Sequence, residues 1–322
     1  MIEINEKKIK NFNMIGSRAT LGMVLFEVAK TMDDLMVCTA DVSTSAGLDR
    51  YRKSYPEKYI DVGISEQNLI GIATGLASEN YKVLTTTFAP FQTMRCLEQI
   101  KVNLGYMRHK VTMVGLASGL VLGTLGYTHC SIEDLSIMRS IPNITVISPA
   151  DCLETAKAII AALAHHQSVY IRLTGGSNMS KVYESDYEFV IGEPIEIIKG
   201  KDITIFATGT MVASAIEASK ILNDENIFPT VINVHTLKPI NKEKISQIIL
   251  NSKKIFTIEE HSIIGGLSST IAEINTTIKS NVTQTSIAIP NEYDAGGPYD
   301  FLKEKNFLTP IQISQRIKNE LK

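Results

Sequence analysis

Between positions 58 and 78 the sequence reads KYIDVGISEQNLIGIATGLAS, and one carboxylate, Glu66, stands where a strand-like run turns into a helix-like one. An acid in the first turn of a helix is stabilised by the helix dipole by about 0.3–1 kcal/mol, which could be its whole purpose. Further on, TTTFAPFQTM places Phe88 and Phe91 where a strand passes into a helix. Core packing is the ordinary use of such a pair. The other use is an aromatic shelf for a flat heterocycle, with a carboxylate hydrogen-bonded to a ring nitrogen. On these residues alone both readings stand.

The elements that must position them follow from periodicity. Nearly all-apolar, β-branched runs at 35–41, 59–64, 81–88, 110–117, 143–151 and 168–175 predict parallel strands covered on both faces. Helical spacing falls between them, near 18–32, 65–79, 91–105 and 152–165. Strand–helix alternation of this kind builds βαβ units and a doubly wound sheet. The polar stretch KVYESDYEFVIGEP (181–194) interrupts the rhythm, and a second set of strands follows at 203–209, 229–240, 254–261 and 285–291. The expected division is a first domain over 1–185, a linker over 186–200 and a second domain over 201–322, both domains α/β.

Composition excludes several functions. The 322 residues carry a net charge of −2, which offers no electrostatic footprint for nucleic acid or for an anionic membrane. The four cysteines, Cys38, Cys96, Cys130 and Cys152, show no C-x-x-C spacing, so neither a zinc site nor a disulfide framework is expected. That usage suits a reducing, cytoplasmic setting. The opening MIEINEKKIKNFN is polar and of mixed charge, unlike a signal peptide. Residues 111–132 approach membrane-spanning length, but their glycines, hydroxyl residues and His129 fit a buried strand followed by a glycine-rich loop. No G-x-G-x-x-G links the first strand to its helix, which sets aside a dinucleotide-binding dehydrogenase.

DVGISEQNLIGIATGLA, then TTTFAPF, then GYTHCSIEDLSIMRSIPNITVISPAD, in that order, strongly resemble the C-terminal half of transketolases. The resemblance extends to related thiamine-diphosphate synthases, 1-deoxyxylulose-5-phosphate synthase among them, and to the β-subunits of 2-oxoacid dehydrogenases. It covers nearly the whole chain, with IEEHSIIGGLSSTIAE (258–273) marking the family's C-terminal domain. The fold it implies is a thiamine-diphosphate pyrimidine-binding domain followed by a transketolase C-terminal-like domain, each doubly wound.

The resemblance also implies a chemistry. At the position of Glu66 the family's glutamate hydrogen-bonds N1′ of the cofactor's aminopyrimidine and favours the tautomer that takes the proton from C2 of the thiazolium. Acid–base help of this kind is worth about 10²–10⁴-fold in rate. Phe88 and Phe91 would flank the pyrimidine, with Ile64 counted among the cofactor contacts. His129 matches the histidine that meets the reacting substrate, as a proton relay or hydrogen-bond donor. Arg18 falls where transketolases keep a substrate-binding arginine, and the Ser43–Ser45 turn occupies another substrate-facing loop. Glu260 and His261 are expected to be structural or interfacial.

The family binds its diphosphate through Mg²⁺ on a Gly-Asp-Gly motif, and this sequence contains none. The glycine-rich pieces GLASGLVLGTLG and TGGS lack the hard oxygen ligands Mg²⁺ requires. Half a cofactor site is therefore expected from a partner, an N-terminal transketolase subunit carrying the diphosphate- and Mg²⁺-binding domain. The chain reads as the C-terminal subunit of a split enzyme, assembled as an α2β2 heterotetramer.

Three departures concern the substrate. Leu125 stands four residues before His129, where sugar-phosphate transketolases usually carry an aspartate. Ala117 replaces an expected histidine, and the region of Gly175 lacks an expected phosphate-binding arginine. Lost hydrogen-bond partners change specificity strongly. The expectation is two-carbon transfer with a non-standard sugar, or with a keto acid as donor. The rival readings are a 2-oxoacid dehydrogenase β-subunit and a non-catalytic scaffold subunit.

Overall fold

A computed structural model describes residues 11–322 apart from 13, 177 and 178. Positions 1–10 of the polar N-terminal stretch, and Ser177 of TGGS, lie outside the described residues. Among the described residues, twelve strands form two sheets. The first contains β1 (Leu35–Thr39), β2 (Tyr59–Asp61), β3 (Lys82–Phe88), β4 (Val111–Ser118), β5 (Ile144–Ile147), β6 (Ser168–Thr174) and β10 (Thr236–Lys238). Their order is β10-β5-β6-β4-β3-β1-β2, parallel except for β10. The second sheet orders β12 (Thr283–Ile289), β11 (Lys254–Ser262), β8 (Ile203–Ala207), β9 (Thr230–Asn233) and β7 (Ile195–Ile198), with β7 antiparallel.

The central strands are apolar throughout because both faces are covered. Every residue of β1, β4 and β6 is buried. The helix Glu66–Ser78 shows the complementary pattern, burying Glu66, Leu69, Ile70 and Ala73 along one face. Leu69 and Ile70 belong to a core cluster that runs on through Phe206, Ile232, Ile255 and Leu267, so the two sheets share one packed interior. No described helix is long and apolar enough to cross a membrane. Residues 111–132 form β4 and the loop after it.

Three expectations are corrected. The helix expected over 91–105 is a broken series: Ala89–Gln92, a 3₁₀ turn Met94–Cys96, Leu97–Gln99 and a π turn Ile100–Tyr106. The Thr93 hydroxyl donates to Ala89 O at 2.7 Å, and the Thr93 backbone leaves helical geometry (φ −113°, ψ −79°), which ends the first piece. The run 229–240 is two strands rather than one. Val234 still donates to Ala207 O in the second sheet, whereas His235 O accepts from Ser148 N and delivers the chain to β10 in the first. A continuous apolar run cannot reveal that it changes sheets. Finally, the linker expected over 186–200 contains β7, whose Ile195 and Glu196 pair with Asn233 and Ile232.

Candidate active site

In an open parallel sheet, ligands sit beyond the strand C-termini where successive connections diverge. Here β1 leads outward to β2, and β3 leads the other way to β4, so the topological switch point falls between the ends of β1 and β3. The loop after β1 carries Ser43, the end of β3 carries Phe88, and the short helix that follows it carries Phe91.

The corner after β2 is fixed by Asp61. Its Oδ1 accepts from Asp41 N at 2.9 Å and Gly63 N at 3.0 Å, and its Oδ2 accepts from the Thr39 hydroxyl at 3.1 Å. Burial alone would raise this carboxyl, but these donors outweigh it and hold its pKa below the usual value. Asp61 thereby ties the Ser43 loop to the turn that launches Glu66. Gly63 takes a left-handed conformation there (φ 71°), which favours glycine. Ser65 then begins the helix, its hydroxyl donating to Val62 O at 2.8 Å.

Glu66 is 4% exposed. Its Oε1 accepts from Arg95 Nη1 at 2.7 Å, and Oε2 has no hydrogen-bond partner among the described residues. The Arg95 guanidinium lies 3.9 Å from the centre of the Phe91 ring, a stacking geometry that suits its planar charge. Phe91 meets Phe88 edge-on at 6.5 Å and meets His129 edge-on at 5.3 Å. The Thr128 hydroxyl and His129 Nδ1 are 3.0 Å apart. Glu66, Phe91, Phe88 and His129, far apart in sequence, are thus brought into one connected group.

Arg95 was not among the expected residues. Phe91 and Arg95 stand four apart in the sequence, but the helix breaks at Thr93 between them, so helical spacing could not have revealed their contact. Two nearby thiols are not available as nucleophiles. Burial raises Cys96 to about 12 and Cys130 to about 11, so both stay protonated near neutrality.

Arg18 and Ser43 form a neighbouring pair of elements. Arg18 opens the helix Ser17–Val28, and Gly47 packs so tightly on it that a Cβ there would lie 2.8 Å from Arg18 O. Ser43 is buried beside the Tyr59 hydroxyl. Leu125 is 56% exposed on the short turn Gly123–Leu125, and Ile64 is 77% exposed at the corner before Glu66. Among the described residues, no hydrogen bond or ring contact joins Arg18, Ser43, Ile64 or Leu125 directly to the Glu66 group. Arg172, buried near the end of β6, is consumed by Asp134, its Nε lying 2.9–3.0 Å from both carboxylate oxygens. It cannot replace the arginine missing near Gly175.

Comparison with known proteins identifies the two domains. Residues 13–178 match the transketolase pyrimidine-binding domain and residues 195–313 the transketolase C-terminal domain. A subunit of an apulose-4-phosphate transketolase from Phocaeicola vulgatus is 34% identical over 281 residues, spanning 87% of this chain and 89% of that one. A 6-deoxy-6-sulfo-D-fructose transketolase subunit, SqwH, from a Clostridium species is 36% identical over 298 residues, 92% and 91% of the two chains. A solved structure described as a split gene transketolase, inactive beta4 tetramer, superposes with a TM-score of 0.85 at 32% identity, covering 95% of this chain and 97% of that one. This chain belongs to the transketolase family, as a transferase subunit of the split type that carries the pyrimidine-binding and C-terminal domains.

Proposed function

We propose that this chain is the pyrimidine-side subunit of a two-chain, thiamine-diphosphate-dependent transketolase that moves a two-carbon ketol unit onto an aldehyde or sugar acceptor. The observation that carries the reading is Glu66: a buried carboxylate in a first helical turn, its Oε2 without a hydrogen-bond partner among the described residues, joined through Arg95 to the Phe91 ring that meets His129. A carboxylate oxygen without a partner, linked in this way to aromatic rings, suits a nitrogen heterocycle, so these residues fit the pyrimidine half of the cofactor.

When bound, thiamine diphosphate supplies the carbanion chemistry that breaks and makes carbon–carbon bonds next to a carbonyl. Glu66 would hold the proton shared with the ring nitrogen, and Phe88 and Phe91 would flank the ring. Ile64 would line its approach. His129, on a loop that is partly open, would donate a hydrogen bond to the substrate oxygen near the reacting carbon. Arg18 would hold the anionic end of the substrate, with Ser43 on the adjoining loop.

The described residues hold no cluster of three or more His, Cys, Asp or Glu side chains suited to a metal. The Mg²⁺ and diphosphate ligands would come from an N-terminal partner subunit, in an α2β2 assembly. Four unpaired, buried cysteines fit a cytoplasmic setting.

A non-standard, anionic sugar is the substrate class this reading favours. Exposed Leu125, buried Ala117 and Gly175 stand where sugar-phosphate enzymes carry polar partners. The two named relatives act on a sugar phosphate and a sulfo-sugar, both with an anionic end that an arginine can bind.

The test is reconstitution with the partner subunit, thiamine diphosphate and Mg²⁺. Glu66→Gln should lower kcat about 100-fold or more. Unchanged activity in that variant would return Glu66 to a helix-end role and favour a scaffold. Efficient turnover of xylulose 5-phosphate with ribose 5-phosphate would overturn the non-standard substrate.

A further inference from the structure

The loop that carries His129 is held from the other half of the molecule. An antiparallel bridge closes its base, Gly119 N donating to Ser131 O at 2.8 Å and Ser131 N to Gly119 O at 3.0 Å. Within it, successive turns form an unbroken series of hydrogen bonds. His129 N donates to Gly126 O at 3.0 Å, Gly126 N to Gly123 O at 3.0 Å, and Gly123 N to Leu120 O at 2.9 Å. The series ends on a side chain of the second sheet, where Leu120 N donates to Glu260 Oε1 at 2.8 Å.

Glu260 lies on β11, is 1% exposed and is itself firmly held. Its Oε2 accepts from the Tyr299 hydroxyl at 2.6 Å and the Thr210 hydroxyl at 3.3 Å. Its backbone oxygen accepts from Arg172 Nη2 at 2.8 Å, and the same nitrogen reaches Ser131 O at 3.2 Å. One carboxylate and one guanidinium therefore grip both ends of the loop. Gly119 shows how closely they fit: with φ 71°, a Cβ there would lie 2.2 Å from Glu260 Oε1. Any other side chain would push the carboxylate off the loop.

Three further contacts come from the same side. Gly297 N donates to Gly123 O at 2.9 Å, Ser262 N to Ile132 O at 2.7 Å, and the Tyr293 hydroxyl to Glu133 Oε1 at 2.6 Å. These brace the loop's middle and the segment just after it. Only Glu260 stands at the head of the hydrogen-bond series that ends on the backbone of His129.

We infer that Glu260 is a positioning residue for His129, setting the ring's place in the site through Leu120, Gly123 and Gly126. The inference rests on the catalytic reading of His129, and it gives the C-terminal domain a task in the reaction. A carboxylate suits that task because its two oxygens accept several strong hydrogen bonds at once. Glutamine keeps the acceptor for Leu120 N and is the conservative variant; alanine removes it.

Two measurements separate the geometry from the chemistry. In the isolated chain, Glu260→Ala should speed amide hydrogen exchange at Leu120, Gly123, Gly126 and His129 by about tenfold or more, leaving β3 and β4 unchanged, and Glu260→Gln should restore most of the protection. In the complex reconstituted with thiamine diphosphate and Mg²⁺, Glu260→Ala should lower kcat more than it raises KM. Adding it to a His129→Ala enzyme should then cost within about twofold of nothing, because both changes remove the same function. Unaltered exchange in the loop, or a full multiplicative loss in the double variant, would overturn the inference. If the wild-type complex had no transketolase activity, the proposed function would fail while the exchange measurement still decided whether Glu260 fixes the loop. If alanine loosened both sheets equally, Tyr299→Phe, which removes only one donor to Oε2, would repeat the exchange test. Loosening confined to the loop would support the role, and none would overturn it.

Discussion

Glu66 and Arg95 form a lopsided pair: the carboxylate side chain is 5% exposed and the guanidinium 43%, with 2.7 Å between Oε1 and Nη1. A pair open on one side is screened by water, yet removing the arginine would leave a charge buried without its donor. Arg95→Met should therefore destabilise the isolated chain by about 1–2 kcal/mol. In a Glu66→Gln background the same change should cost roughly half a kcal/mol or less, since no charge is left behind. Urea unfolding of the four variants measures this coupling. Equal costs in both backgrounds would mean that the pair contributes nothing.

Glu154 pins the segment between the two halves. Its carboxylate, wholly buried, accepts from Ala150 N at 2.7 Å, Asn233 Nδ2 at 3.0 Å, Tyr183 OH at 3.1 Å and Tyr187 OH at 2.8 Å. Burial raises this carboxyl, and the four donors pull part of the way back. The Tyr183 and Tyr187 rings stack at 4.1 Å above it. Tyr187→Phe removes one donor and should cost about 1–2 kcal/mol, whereas Glu154→Ala strands all four and should cost about 3–5 kcal/mol. Limited proteolysis should show the Tyr187 variant cut sooner between residues 179 and 194, with the sheets left intact.

What the sequence revealed follows the range of each signal. Buried parallel strands announce themselves locally, because both faces must be apolar, and β1, β3, β4 and β6 fall within a residue or two of their expected positions. Glu66, Phe88, Phe91 and His129 were legible through family motifs, and the fold joins them. Arg95 was hidden because its position depends on the helix breaking at Thr93. The Glu260 contact to Leu120 spans 140 residues, and no periodicity carries information over that distance. The switch of the chain from β9 to β10 was hidden for a related reason, since a strand's hydrophobicity does not name the sheet it joins.

The helix that begins with Glu66 contains Gly71 and Gly75, both exposed, and an added Cβ at either would meet nothing within 4 Å. Glycine inside a helix costs about 0.5–1 kcal/mol relative to alanine. Gly71→Ala and Gly75→Ala should each raise the stability of the isolated chain by that amount, read as a higher urea midpoint at unchanged slope. A lower midpoint would show that the helix is strained in a way its backbone does not reveal.

His235 sits at the crossing from one sheet to the other, fully buried, with Nδ1 2.7 Å from the Thr236 hydroxyl and the Phe189 ring 4.4 Å away. Burial lowers its pKa from 6.5 to about 4, against a smaller opposing pull from Glu193. The unfolded chain thus binds a proton that the folded chain refuses, throughout the window between those values. Stability from His235 is complete above about pH 6.5 and is lost as the pH falls toward 4, with a loss of about 2 kcal/mol expected between about pH 7.5 and pH 5. Buried His261, also lowered to about 4, acts in the same direction, whereas Glu259, raised by burial to about 7, gains stability on acidification. Both remain in a His235→Gln chain, so comparing the two proteins isolates His235. The variant should lose about 2 kcal/mol less than the wild type over that range, measured by urea unfolding at each pH. Parallel pH profiles would mean that His235 titrates normally, and that water reaches the crossing between the sheets.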